Sequence, residues 1–276
     1  MIGAEGQRRT LGTFGVEIVA LAALVFLVAP VVIIVIVSFG RTEYLVFPPR
    51  ELSLRWYQKV LGDPQWLAAM GVSLRVALIA SVVSTLLVIP ASLALVRGRL
   101  RFKGGVYAAL LSPLIVPIVI TAIGLYFFFT RFVGSGSVVA MGIGHAVLSI
   151  PVVTIIVTAA LQGVDENLDH AAYSLGAGRL YTLRRVTLPL IAPALIAAFL
   201  FAFLMSLDEL LVPLFLSGIR MQTLSVKIWQ GIQYELSPAI AAVSSLLIGA
   251  TLVFVSLVGL VRRRASWTAS AKRDTA

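Results

Sequence analysis

Two adjacent carboxylates, Asp208 and Glu209, stand inside the apolar stretch "FAFLMSLDELLVPLFLSG". A carboxylate at membrane depth is costly unless it is paired or faces water. The chemistry such a pair offers is attraction of a cation along a pathway or at its outer gate. The competing reading is a structural ion pair with Arg75, the one cation near the outer end of the second apolar stretch. Successive helical residues point about 100° apart, so the two acids need not share one environment. His145 and His170 are the two histidines of the chain. A lone histidine in an apolar helix is more often a satisfied packing residue than a ligand or proton relay, and His145 is read that way. The absence of cysteine excludes disulfides and thiolate metal sites, and two histidines do not make an all-histidine metal centre. The chain lacks H-E-x-x-H, G-x-S-x-G and any Gly-Lys pair, hence also the phosphate loop G-x-x-x-x-G-K-[ST]. No catalytic residue is assigned, and the chain is read as no enzyme.

The elements that position these residues are membrane spans. The chain is 59% hydrophobic and 12% charged, against about 25% charged for a soluble domain. Its apolar runs predict an all-α membrane protein with six transmembrane helices, at about 17–39, 72–96, 106–129, 138–161, 191–216 and 239–261. The first follows Arg8 and Arg9; its apolar core exceeds a signal-peptide core of about 7–15 residues, so it reads as uncleaved. The net charge of +10 fits orientation by the positive-inside rule, not nucleic-acid binding. Arg8, Arg9, Arg97, Arg99, Arg101, Lys103, Arg179, Arg184, Arg185, Arg262, Arg263, Arg264, Lys272 and Arg273 fall on one side. Arg41, Arg50, Arg55, Lys59, Arg131, Arg220 and Lys227 fall on the other. Both termini are therefore expected inside, with Arg262, Arg263 and Arg264 facing lipid headgroups. The outer loop 40–71, with "ELSLRWYQKVLGDPQWLAAM", predicts short amphipathic helices that anchor at the interface or dock a partner. Internal Pro90, Pro113, Pro117, Pro151 and Pro213 predict a packed bundle able to move. Ser237 and Pro238 read as the cap and first turn of the sixth helix.

The longest inner loop, 162–190, is polar and punctuated. Asp165 caps a first short helix whose positive end carries Glu166 and Asp169. Leu168, Ala171, Ala172 and Leu175 share one face, and the small Ala171 and Ala172 let another surface approach closely. Gly176 and Gly178 supply the turn, and a second helix from about Leu180 to Thr187 ends before Pro189. An inner element of this kind either packs its own bundle or docks a partner.

Asp169, Ala171, Ala172, Gly176, Ala177, Leu188, Pro189 and Pro193 resemble the EAA loop of bacterial ABC importer permeases. Where that family has Glu before the two alanines, this chain has His170. "FPPRELSLRWYQKVL", "FAFLMSLDELLVPLFLSG" and "TLSVKIWQGIQYELSPAIAAVSSLL" resemble the spermidine/putrescine class, and the chain is similar to its second, C-type membrane component over most of its length. The resemblance implies a type I ABC importer (MetI-like) fold forming a single transmembrane permease domain over 1–276, in the bacterial inner membrane. It implies ATPase coupling through Asp165, Asp169, His170, Ala171, Ala172, Leu175, Gly176 and Ala177, and a pathway or gate at Asp208 and Glu209. It implies as partners a second homologous permease subunit in a heterodimer, two ATPase subunits, an extracytoplasmic binding protein and membrane lipid, with no nucleic acid. ATP and Mg would sit on the ATPase, and this chain would bind no cofactor and no metal. The solute implied is polyamine-like and cationic; an amino-acid-like or phosphonate solute is the alternative, and a secondary transporter the rival class. Secondary transporters often show internal repeats with interrupted helices in matching positions, and no convincing repeat is found here.

Overall fold

The structure, a computed structural model, describes residues 11–134, 136–218, 221–234 and 237–271. Arg8, Arg9, Arg220, Lys272 and Arg273 of the orientation argument lie outside the described residues. The helices are α1 (Leu11–Ser38), α2 (Arg55–Gly62), α3 (Pro64–Val96), α4 (Lys103–Ile115), α5 (Ile118–Phe132) and α6 (Val138–Gln162). They continue as α7 (Asn167–Ser174), α8 (Arg179–Thr182), a π-helical turn (Leu183–Thr187), α9 (Leu188–Asp208), α10 (Leu211–Leu216), α11 (Leu224–Tyr234) and α12 (Pro238–Ala271). No strand occurs among the described residues, only an isolated bridge between Gly40 and Leu52.

The chain divides into two compact units. One comprises the residues up to Gly62 together with Gly231–Gly249; the other comprises Asp63–Gln230 and the residues from Ala250 on. In the first unit, α1 exposes almost all its described side chains, as a helix surrounded by lipid does. The outer segment after it is folded: Trp56 is buried, its indole N–H donating to Thr42 O at 3.1 Å, and Tyr57 hydrogen-bonds Ser38 at 2.6 Å. Trp56 therefore serves its own unit and is no exposed interfacial anchor.

In the second unit α3, α6 and α9 pack together. The C-terminal halves of α3 and α6 share with α9 a core of Val88, Val153, Val157, Leu161, Ile191, Ala198 and Ala202. Toward the other end of the bundle, Val72, Val76, Met141, Val212 and Leu216 join Ala122 and Phe129 of α5. Small residues permit the close approach: a Cβ on Gly142 would fall 2.6 Å from Ile79 Cγ2, and one on Gly144 would fall 2.9 Å from Val212 Cγ1.

Among the described residues, four helical stretches are long and apolar enough to span a bilayer: Gly15–Ser38, Pro64–Val96, Val138–Gln162 and Arg179–Asp208. The expected third span is broken, its halves α4 and α5 bent by 101°. Pro117 cannot donate to the helical ladder and disfavours the α conformation at Val116, which is extended (φ −73°, ψ 129°), so the helix ends there and restarts at Ile118. Counted as one span, the pair gives five; Pro238–Val253 is a shorter apolar stretch within α12. The second span starts at Pro64, earlier than hydropathy suggests, because Asp63 caps it by accepting from Gln65 N at 2.8 Å. Residues 64–71 of the expected outer amphipathic segment thus belong to α3. The fifth span also differs: it ends at Asp208 and resumes as α10.

Candidate functional site

The inner loop folds much as its punctuation predicts. Asp165 Oδ1 accepts from Asn167 N at 3.0 Å and satisfies a first-turn amide of α7. At the other end Gly176 adopts φ +85°. Ala177 N donates to Ala172 O at 3.0 Å and Gly176 N to Tyr173 O at 2.9 Å, the paired bonds of a Schellman cap. Gly178 is different: at φ −76°, ψ 160° it sits where any residue fits, and only Gly176 needs to be glycine. The second short helix does not end before Pro189. It runs through the π turn into α9, and Pro189 follows just after that turn.

Of the eight residues of α7, Asp169 alone is buried. Leu168 is 45% exposed and Leu175 89% exposed, with Ala171 open and Ala172 half-buried between them. The predicted apolar face is therefore not used to pack the chain's own bundle. His170 is exposed, its ring edge-on to Tyr173 at 6.3 Å.

Asp169 points the other way. Its Oδ1 accepts from Thr187 Oγ1 at 3.0 Å, and its Oδ2 pairs with Arg97 Nη1. Arg97 stands at the inner end of α3 and donates from Nη2 to Val164 O at 3.4 Å. Beside this cluster lies a cavity of about 670 Å³ lined by Leu93, Arg99, Glu166, Tyr173, Arg179 and Leu183, among others. Arg97 and Thr187 are residues that sequence reasoning misses. In the sequence Arg97 belongs to a cationic cluster and reads as an inner-surface charge; no periodicity links it to a residue so far along the chain.

On the outer side the two acids separate. Helix α9 ends at Asp208, and Glu209 takes an extended conformation (φ −70°, ψ 123°). Glu209 Oε1 then accepts from Leu211 N at 2.7 Å and Val212 N at 3.1 Å, satisfying two open amides of α10. Asp208 is exposed and has no ion-pair or hydrogen-bond partner among the described residues. Arg75 donates from Nε to Gly71 O at 2.9 Å, and no ion pair joins it to Asp208 or Glu209 among the described residues. His145 is buried with Nδ1 2.7 Å from Ser206 Oγ, a packing histidine bridging α6 and α9.

The chain is similar to known proteins in sequence and in fold. The family described as "Binding-protein-dependent transport system inner membrane component" matches residues 70–266. The putrescine transport system permease protein PotI of Escherichia coli (strain K12) is 31% identical over 251 residues, covering 88% of each chain. The spermidine/putrescine transport system permease protein PotC of Haemophilus influenzae is 28% identical, covering 87% of this chain and 93% of that one. Among solved structures, a chain of a bacterial ABC transporter that imports the acidic polysaccharide alginate superposes with a TM-score of 0.69. It is 16% identical over 95% of this chain and 99% of its own. A methionine ABC transporter chain in an inward-facing conformation gives 0.58 at 18% identity, over 72% of this chain and 94% of its own. At such identities these structures share the fold.

Proposed function

Since this chain belongs to the family of binding-protein-dependent transport system inner membrane components, we propose that it moves a polyamine-like cation inward using energy supplied by a separate ATPase. The chain is a membrane-spanning permease subunit of an ABC importer, with the type I importer permease fold. As its finer assembly we put forward a heterodimer with a second, related permease, two ATPase subunits on the inner face holding ATP and Mg, and an extracytoplasmic binding protein. Both termini lie in the cytoplasm, and the whole chain acts as one permease domain.

The observation that carries the ATPase reading is α7. It is an eight-residue helix outside the spans, capped at both ends, with Leu168 and Leu175 exposed and one residue buried. A helix that buries so little against its own chain yet keeps apolar residues open is suited to dock elsewhere. Ala171 and Ala172 let a partner come near its backbone, and Gly176 and Ala177 set the angle of exit. In the outer half, the exposed Asp208 supports a cationic solute, because an uncompensated carboxylate favours positive charge. The relatives named for putrescine and spermidine support the same solute class.

The test is co-expression with a second permease, an ATPase and a binding protein of the same transport system, followed by reconstitution into vesicles. ATP-dependent uptake of labelled putrescine or spermidine is expected, and Leu175→Glu should abolish recovery of the ATPase with an otherwise inserted chain. Uptake of an amino acid or phosphonate in place of polyamines would overturn the solute assignment. An ATPase retained in full by Leu175→Glu would overturn the docking surface.

A further inference from the structure

Asp169 is the one buried residue of α7, and its two oxygens go to two different spans. Oδ2 pairs with Arg97 at the inner end of α3; Oδ1 accepts from Thr187 at the foot of α9. All three side chains are largely shielded, with Asp169 at 9% and Arg97 at 12% side-chain exposure and Thr187 buried. Besides these two bonds, α7 is joined to the spans by the backbone segments 163–166 and 175–178 and by packing on α8 and the π turn. Among these links the Asp169 carboxylate is the one that grips α3 and the foot of α9 at once. A push on α7 therefore reaches both spans together through the Asp169 carboxylate.

The element that carries Thr187 is also unusual. Leu183–Thr187 is a π-helical turn between two α-helical stretches, with Leu188 N donating back to Leu183 O. A π turn holds an extra residue and shifts the phase of the next helical stretch by about 100°. Thr187 meets Asp169 at the end of that turn. Relaxing it to regular α-helix would swing Thr187 away from Asp169 or rotate α9.

We propose that Arg97, Asp169 and Thr187 form an internal tie that makes α7 move as one body with the inner ends of α3 and α9, so that Arg97 and Thr187 are positioning residues for energy coupling. This rests on the reading of α7 as the ATPase-docking helix. The division of roles is specific: the exposed face of α7 engages the partner, and the opposite carboxylate passes the movement on. Asp169 thereby moves from the docking surface to the tie.

The test measures transport per ATP hydrolysed in reconstituted full complexes of Asp169→Asn, Arg97→Gln, Thr187→Val and Thr187→Ser. Asp169→Asn keeps an oxygen for Thr187 and turns an amide toward the guanidinium, so it cuts the α3 arm. Thr187→Val cuts the α9 arm, and Thr187→Ser keeps the hydroxyl. The ratio should fall roughly 2- to 30-fold in the first three variants, the range over which coupling residues act, and stay near wild type in Thr187→Ser. ATPase recovery should not change. An unchanged ratio in all three, or losses that track only the yield of complex, would overturn the tie. Should a variant not assemble, amide exchange across α7 in the isolated chain decides: faster exchange in Arg97→Lys and Thr187→Val than in wild type supports the tie, and equal exchange overturns it. A wild-type complex without any ATP-driven uptake would instead remove the docking reading and this inference with it.

Discussion

The cap of α7 gives the sharpest quantitative prediction. Gly176 holds φ +85°, and a Cβ built on it would meet nothing within 4 Å. Gly178 likewise has nothing within 4 Å, but its φ is −76°. Neither site is sterically closed, so Gly176→Ala and Gly178→Ala differ only in backbone conformation. An L-residue in the left-handed region costs roughly 1–2 kcal/mol. At an ordinary φ, Gly→Ala instead stabilises by about 0.4–1 kcal/mol through the unfolded chain. The bonds at stake are Ala177 N to Ala172 O and Gly176 N to Tyr173 O. At RT of about 0.6 kcal/mol, the Gly176→Ala cost raises the open population of this cap by ~5- to 30-fold. The assay is amide exchange at residues 176 and 177 in the chain held in lipid nanodiscs. Gly176→Ala should speed both amides by that factor. Gly176→Asn should lie between it and wild type, because Asn tolerates the left-handed region. Gly178→Ala should leave both amides unchanged or slower. Equal effects of the two alanine variants, or no effect of Gly176→Ala, would refute the cap as the device that ends α7.

The geometry sets three more outcomes. Glu209→Gln keeps an acceptor for Leu211 N and Val212 N and should lower Tm little, whereas Glu209→Leu strands both amides at about 1–3 kcal/mol each and should sharply reduce the yield of folded chain. Comparable yields of the two variants would contradict the cap. Gly142→Ala drives a methyl to 2.6 Å from Ile79 Cγ2 and should cost about 1–3 kcal/mol by overpacking; Gly124→Ala, with nothing within 4 Å, should be silent, and Ile79→Ala should relieve part of the Gly142→Ala loss in thermal unfolding. Asp208→Asn should leave assembly and Tm intact and weaken putrescine uptake about fivefold at low concentration, the effect of about 1 kcal/mol of attraction between charges 4 Å apart in water; unaltered uptake would end the assignment of Asp208 to the solute.

Features written as local punctuation were legible in the sequence. The glycine turn after α7 and the Asp165 cap depend on neighbours in the chain, and both stand where spacing put them, with Gly176 making the turn without Gly178; of the six expected spans, four to five are long and apolar enough among the described residues. The early start of α3 was also written, in Asp63 followed by Pro64, but hydropathy outweighed the cap. Pro117 stands at the break of the third span while Pro113 stays inside α4, so a proline alone does not tell a break from a continuous helix, and the 101° bend is not written in the local pattern. The Arg97–Asp169–Thr187 cluster was hidden for the same reason. It joins three elements whose meeting depends on the tertiary fold, and each residue has an ordinary explanation in its own segment.

The acids of this chain show how cost separates architecture from ligand recognition. Glu209 stands in an apolar stretch, and its position alone suggests a cation site as strongly as that of Asp208. The structure gives Oε1 of Glu209 two amide donors at the broken end of α9, so one of its oxygens is taken up by the chain itself. Asp169 is answered at both oxygens, by a guanidinium and a hydroxyl. A carboxylate whose acceptor capacity is taken up internally has little left to offer a solute, and its removal disturbs the fold before it disturbs transport. Asp208 has no such internal answer among the described residues, and it is exposed. Under the proposed function, attraction of a polyamine at the end of α9 therefore falls to Asp208, with Glu209 fixing the break that turns the chain just beyond it.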